Sequence, residues 1–171
     1  MTTRLLFVCL GNICRSPSAE NIMNHLIEQR QLGDGPEGPA FGHQVVCDSA
    51  GTASYHVGSA PDRRMTQAAK AYGIDLVGRA RQFDLFDFDH FDYILAMDRQ
   101  NYRDIVALDP AGQHRDKVRL MCDFCRTHPD KDVPDPYYGG PEGFTYVIDL
   151  LLDACEGLLD HITDHSVATL P

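Results

Sequence analysis

Leu5-Leu6-Phe7-Val8-Cys9-Leu10-Gly11-Asn12-Ile13-Cys14-Arg15-Ser16-Pro17 is the stretch on which the fold turns. The apolar run Leu5 to Val8 reads as a buried strand. A helical pattern follows from Ser16, with Ala19, Ile22, Met23, Leu26 and Ile27 recurring on one face. Pro17 in the first turn removes an amide that has no intrahelical acceptor anyway. A tight loop between a strand and a helix N-terminus is an anion cradle, because its amides can converge on one oxyanion. This cradle carries a thiol at one end and a guanidinium at the other. Five residues separate Cys9 from Arg15. Arg15 can return to the centre and bind two oxygens through its planar fork, which lysine cannot do. Gly11 is expected to permit a backbone shape that a side chain resists, and Asn12 to tolerate left-handed geometry. The amides, the helix terminus and Arg15 all favour negative charge at the loop's centre. Cys9 is therefore a candidate nucleophile toward phosphorus.

Outward from this loop, strands alternate with helices. Gln44 to Ala50 reads as a second strand and Phe91 to Met97 as a third. Lys117 to Cys122 reads as a fourth. Helices are expected from Pro61 to Gly73, from Asp98 to Leu108, and over the stripe Phe144 to Ile162. Residues 33–43 read as a variable loop and the tail from His165 as frayed. The alternation predicts an α/β fold, a doubly wound parallel sheet with helices on both faces. Ligands of such sheets bind at the carboxyl ends of the strands, where the strand order reverses. The Cys9 loop leaves the carboxyl end of the first strand.

The chain has 171 residues, 43% hydrophobic and 23% charged, which fits one soluble domain spanning 1–171. Its net charge is −10, and no Lys/Arg cluster suggests nucleic-acid binding. No apolar run is long enough to span a membrane, and the N-terminus does not resemble a signal peptide. A cytoplasmic location is the expectation. Six cysteines in such a chain are not a disulfide framework. Cys47 and Cys155 read as core packing. Asp135 lies between Pro134 and Pro136, a stiff mount suited to a proton donor, though an ordinary turn aspartate reads the same way.

Val8 to Pro17 resembles the signature of low-molecular-weight protein tyrosine phosphatases. The similarity extends to Asp48-Ser49-Ala50-Gly51-Thr52, Val57-Gly58, Ala80-Arg81-Gln82, Met97-Asp98 with Asn101, and Asp135-Pro136-Tyr137. The resemblance implies a four-stranded parallel sheet and a phosphatase that needs no metal or cofactor. It implies that Cys9 forms a cysteinyl-phosphate. Arg15 and the amides of Leu10, Gly11, Asn12, Ile13 and Cys14 would bind the phosphoryl group. Asp135 would act as general acid and then base. Asn12, Ser16 and Ser49 match a network that holds the loop, and Ser16 could donate to the sulfur. Tyr55, Tyr137 and Tyr138 match an aromatic wall. The expected partner is a phosphotyrosine protein, with inorganic phosphate released by a monomer or weak dimer. Cys9 and Cys14 match a pair that can form a protective disulfide.

Three positions depart from the family pattern. Gly78 stands where many members carry a bracing histidine, and Tyr55 where many carry tryptophan. Ile13 stands where a subset active on phosphoarginine carries threonine, which favours a flat phenyl ring. Two other functions remain open at this point. A thiol-dependent arsenate reductase shares the loop but needs two relay cysteines, and residues 73–100 contain none. A phosphate-binding module would not need the nucleophile, the arginine and the acid together. Cys122-Asp123-Phe124-Cys125 with His128 has metal-type spacing, but no second ligand pair is evident for zinc.

Overall fold

The computed structural model describes residues 1–33, 42–137 and 139–168, without side chains for 166–168. Four strands form one parallel sheet in the order β2-β1-β3-β4. They are β1 (Thr2–Cys9), β2 (Gln44–Gly51), β3 (Tyr93–Ala96) and β4 (Val118–Leu120). The helices are α1 (Arg15–Gln29), α2 (Arg63–Lys70), α3 (Asp87–His90), α4 (Arg99–Ala107) and α5 (Pro141–Ala168).

The period-two geometry of β1 divides the core into two layers. Leu5 and Phe7 face one side with α1, α2 and α5, among Ile22, Met65, Ile148 and Leu151. Leu6 and Val8 face the other side with α3 and α4, among Phe83, Phe88, Phe91 and Ile105. Each of the four β1 residues is fully buried. A strand covered on both faces has no polar face, so its sequence is a continuous apolar run.

β1 sits between β2 and β3, so successive crossovers leave it in opposite directions. The Cys9 loop opens at that reversal, where the crevice of an open α/β sheet lies. The register pairs Cys9 with Gly51, which brings the end of β2 beside the loop.

Several boundaries differ from the sequence expectations. β3 and β4 are shorter at both ends than the apolar runs suggested, and Met121–Phe124 closes into a 3-10 turn that carries Cys122. α3 was not anticipated; four residues are too few to show a period. α2 starts after Pro61, because Asp62 caps it by accepting from Arg64 N and Met65 N at 2.8 and 3.3 Å. The tail expected to fray from His165 continues as helix to Ala168. Most of the loop at 33–43 lies outside the described residues. Among the described residues, no helix is long and apolar enough to cross a membrane.

Candidate active site

Cys9 ends β1 and Arg15 begins α1, so a sharp turn must join them. Asn12 makes that turn with φ of 57°, a left-handed conformation that asparagine tolerates better than most residues. Gly11 is not at positive φ, contrary to expectation. It is small for want of space: a Cβ there would lie 2.9 Å from His56 Cδ2. The loop's carbonyls are held at its rim. Thr52 N donates to Cys9 O, Ala53 N to Leu10 O and Asp62 N to Ile13 O, at 2.9, 2.9 and 2.8 Å. With those oxygens engaged, the loop's amides are left for the interior. Asn12 N lies 3.3 Å from Cys9 Sγ and points at it.

The side chains behind the loop form one hydrogen-bonded group. Ser16 Oγ is 3.0 Å from Cys9 Sγ. Asn12 Nδ2 donates to Ser16 Oγ at 2.8 Å and to Ser49 Oγ at 3.0 Å. Arg81 N donates to Asn12 Oδ1 at 2.9 Å. Ser49 donates to Glu20 Oε2 at 2.6 Å.

Arg15 is buried, with a side chain only 4% exposed. Its Nη1 donates to Asp98 Oδ2 at 2.6 Å and to Val133 O at 3.1 Å. Its Nη2 stands 3.5 Å from Asp135 Oδ2. Burial works against the guanidinium charge, but the Cys9 sulfur, the Asp98 hydrogen bond and Asp135 outweigh it and raise Arg15 above its ordinary value. Asp135 is brought to the loop because Val133 N donates to Met97 O at 2.8 Å, next to the end of β3. Asp135 Oδ1 accepts Tyr137 N at 3.1 Å, which couples this carboxylate to the aromatic residue beyond it.

A cleft of about 120 Å³ joins Cys9, Cys14, Arg15 and Asp135 with Tyr55, His56 and Tyr137. Leu10, Gly11 and Ile13 complete its lining. Of the three expected wall tyrosines, Tyr55 and Tyr137 line this cleft, and Tyr138 lies outside the described residues. The His56 and Tyr137 ring centroids are 6.1 Å apart. Burial pushes the Cys14 thiol up to about 12, helped by Asp62, the Cys9 sulfur and Asp135. His128 is held by Asp153 and Asp149 at 2.8 and 3.0 Å, and among the described residues no cluster is arranged to hold a metal.

Three residues of the site were missed in the sequence. Asp98 was matched as part of a motif but given no task. His56 sits beside Tyr55 in an unremarkable loop. Glu20 had a readable signal: it is a carboxylate one turn after Ser16, beside an otherwise buried helix face.

The family model for low molecular weight phosphotyrosine protein phosphatase matches residues 4–168. A Synechocystis protein carrying the low molecular weight protein-tyrosine-phosphatase name is 60% identical over 91% of this chain and 94% of its own. The low molecular weight phosphotyrosine protein phosphatase of Schizosaccharomyces pombe is 40% identical over 93% of this chain and 96% of its own. The crystal structure of a protein tyrosine phosphatase from Entamoeba histolytica, with Hepes in its active site, superposes with a TM-score of 0.88. It is 44% identical and covers 96% of this chain and 99% of that one. This chain belongs to the low molecular weight phosphotyrosine protein phosphatase family.

Proposed function

We propose that the chain hydrolyses protein phosphotyrosine in two steps through a cysteinyl-phosphate on Cys9. One observation carries the reading: a thiol, a buried guanidinium and a carboxylate meet in one small cleft at the end of β1. In the first step Cys9 Sγ attacks phosphorus. Arg15 and the loop amides take up the charge that spreads over the equatorial oxygens. Asp135 delivers its proton to the departing phenolate oxygen. In the second step Asp135 takes a proton from water as that water attacks the phosphocysteine, and inorganic phosphate leaves. The Ser16 hydroxyl, 3.0 Å from the sulfur, stabilises the thiolate as it departs.

Tyr55 and Tyr137 offer ring surface to a substrate ring, and the apolar Ile13 side chain shares the lining with them. Such a slot favours a phenyl phosphate over a flexible alkyl one. The reading treats the chain as one phosphatase domain, acting in the cytoplasm as a monomer or weak dimer.

The test is hydrolysis of p-nitrophenyl phosphate and of a phosphotyrosine peptide, with EDTA present. Cys9→Ser should bind phosphate and lose turnover. Asp135→Ala should lower kcat on the peptide by roughly 10²–10⁴, and less on p-nitrophenyl phosphate, whose leaving group needs less protonation. Near-normal turnover by Cys9→Ser would remove the covalent step. An Asp135→Ala rate unchanged on the peptide would remove Asp135 as the acid.

A further inference from the structure

The serine pair behind the loop has a defined donor direction. Ser49 Oγ and Ser16 Oγ each accept an N–H from Asn12 Nδ2, at 3.0 and 2.8 Å. The Asn12 amide cannot turn over, because its oxygen already accepts Arg81 N–H at 2.9 Å. Each serine therefore turns its own proton away from Asn12. Ser16 turns toward Cys9 Sγ at 3.0 Å, with Ala50 O a more distant acceptor at 3.4 Å. Ser49 turns toward Glu20 Oε2 at 2.6 Å. The chain of contacts ends at a carboxylate on α1.

We propose that Glu20 is a positioning residue for the nucleophile, acting through Ser49 and Asn12 to fix the Ser16 hydroxyl that faces the Cys9 sulfur. The inference rests on the proposed role of Cys9.

The surroundings explain why the task falls to Glu20. A space of about 10 Å³ lies among Asn12, Glu20, Ser49, Gly78 and Arg79, room for about one water. Gly78 has φ of +114°, and a Cβ built on it would meet nothing within 4 Å. Gly78 places no side chain in this space, and Ser49 donates directly to Glu20. From β2, Asp48 and Cys47 face Glu20, the Cys47 thiol lying 3.5 Å from the Glu20 carbonyl oxygen. From the segment before α3 comes Arg81, which is engaged by Asp48 and Asp87, each at 3.0 Å. Arg79 lines the same small space. Among the described residues, Glu20 makes no ion pair of its own. Burial, with the nearby Asp48 charge, lifts Glu20 to about 7, against the pull of the Ser49 hydrogen bond and Arg81.

That value gives the device a pH dependence. The ionised carboxylate only accepts, so it holds the Ser49 proton. A protonated carboxyl can donate, and it then competes with Asn12 for the Ser49 oxygen. As pH falls through about 7, Asn12 loses one of its three side-chain hydrogen bonds and kcat/KM drops.

The experiment measures kcat and KM for p-nitrophenyl phosphate from pH 5 to 9, with thermal melts, for wild type, Glu20→Gln and Glu20→Ala. kcat/KM reports groups of the free enzyme. The wild type should show an acid limb centred near pH 7. Glu20→Gln still accepts the Ser49 proton but cannot titrate; it should keep kcat/KM at pH 8 within about two-fold and lose that limb. Glu20→Ala should lose about ten-fold in kcat at pH 8 with KM nearly unchanged, the low end for a hydrogen bond to a charged group. Wild-type kcat in Glu20→Ala, or the same limb in Glu20→Gln, overturns the proposal. If Glu20→Ala does not fold, the Glu20→Gln profile decides alone. A wild type inactive on the substrate defeats the phosphatase reading itself, a different failure.

Discussion

Arg15 Nη1 donates to Asp98 Oδ2 at 2.6 Å, and the other Asp98 oxygen accepts Asn101 N at 2.7 Å. One carboxylate thus caps α4 and aims the Arg15 guanidinium. With Nη1 held there and by Val133 O, the Nη2 edge is the part of Arg15 that faces Asp135. The two tasks can be separated. Asn serves as an N-cap nearly as well as Asp, so any stability that Asp98→Asn loses should come from the broken ion pair and not from the cap. This variant should still lose about ten-fold or more in kcat/KM, because a buried guanidinium loses its charged partner. Asp98→Ala should lose both, with a further drop of about 1–2 kcal/mol for the missing cap. Steady-state kinetics and urea titrations of the two variants check this. A Asp98→Asn enzyme with wild-type kcat/KM removes Asp98 from the orienting role.

Asp153 on α5 holds the turn after the 3-10 segment. It accepts from Arg126 N, Thr127 N and His128 N, each at 3.0 Å, and from His128 Nδ1 at 2.8 Å. Burial acts to raise this carboxyl, but the His128 side chain and the three amides win and hold it well below the usual carboxylate range. The His128 imidazole is raised in turn by the Asp153 hydrogen bond, against its own desolvation. The two signs differ. The Asp153 contribution is present above its unfolded value, about 3.9, and is lost as pH falls through its depressed folded value. The His128 contribution is present below about 6.5 and is lost as pH rises through its raised folded value. The pair therefore stabilises most between about pH 4 and 6.5. Asp153→Asn should destabilise by about 1–3 kcal/mol, and by more at pH 5 than at pH 8.5. Urea melts at the two pH values read the difference; equal losses at both would disconnect His128 from the effect.

The parts of this molecule that were legible in the sequence are those where one physical demand decides the residue. Leu5 to Val8 is apolar throughout because β1 is covered on both faces, and the α1 stripe follows because one side of the helix packs on that sheet. Cys9 and Arg15 stood out because a cradle with a thiol and a fork leaves a pattern along the chain, whereas Asp135 took its expected role from the family resemblance, since an ordinary turn aspartate reads the same way. Glu20 and Asp98 were harder. Their partners, Ser49 and Arg15, are 29 and 83 residues away, and only folding brings them together. Gly11 was recognised for the wrong reason, since its constraint comes from His56 across the cleft rather than from its own backbone. α3 and the 3-10 turn at Met121–Phe124 are shorter than the period that would reveal them.

Gly157 in α5 sets propensity against packing. Alanine in a helix interior is ordinarily better than glycine by about 1 kcal/mol. Here a Cβ at Gly157 would collide with the carbonyl oxygen of Phe124, in the 3-10 turn that lies across the helix. Backbone on both sides leaves little freedom to relieve the clash. Gly157→Ala should therefore destabilise by about 1–3 kcal/mol, the range for overpacking, despite the propensity gain. Thermal melts check the sign, and a raised Tm would mean that α5 and the turn separate easily.

Cys14 lines the same cleft as Cys9, and its thiol is pushed up to about 12, first by burial and then by Asp62 and the Cys9 sulfur. That has a kinetic consequence for a Cys9–Cys14 disulfide. The Cys9 thiolate would attack one oxygen of hydrogen peroxide, giving a sulfenic acid and hydroxide, which takes a proton from solvent to become water. Cys14 would then displace hydroxide from that sulfur, forming the S–S bond, and the proton lost by the thiol would complete a second water. The attacking species is the thiolate, and at neutral pH a thiol with so high a value is almost all protonated. Closure should therefore be slow at pH 6.5 and accelerate by up to about ten-fold per pH unit toward pH 9. At low pH more Cys9 should pass on to sulfinic acid, because the resolving step lags behind further oxidation. Mass spectrometry after a timed peroxide pulse at pH 6.5, 7.5 and 8.5 measures both products. The linked peptide should gain on the sulfinic form as pH rises, and Cys14→Ser should give the sulfinic form at every pH. A linked fraction independent of pH would show that Cys14 does not attack as a buried, protonated thiol.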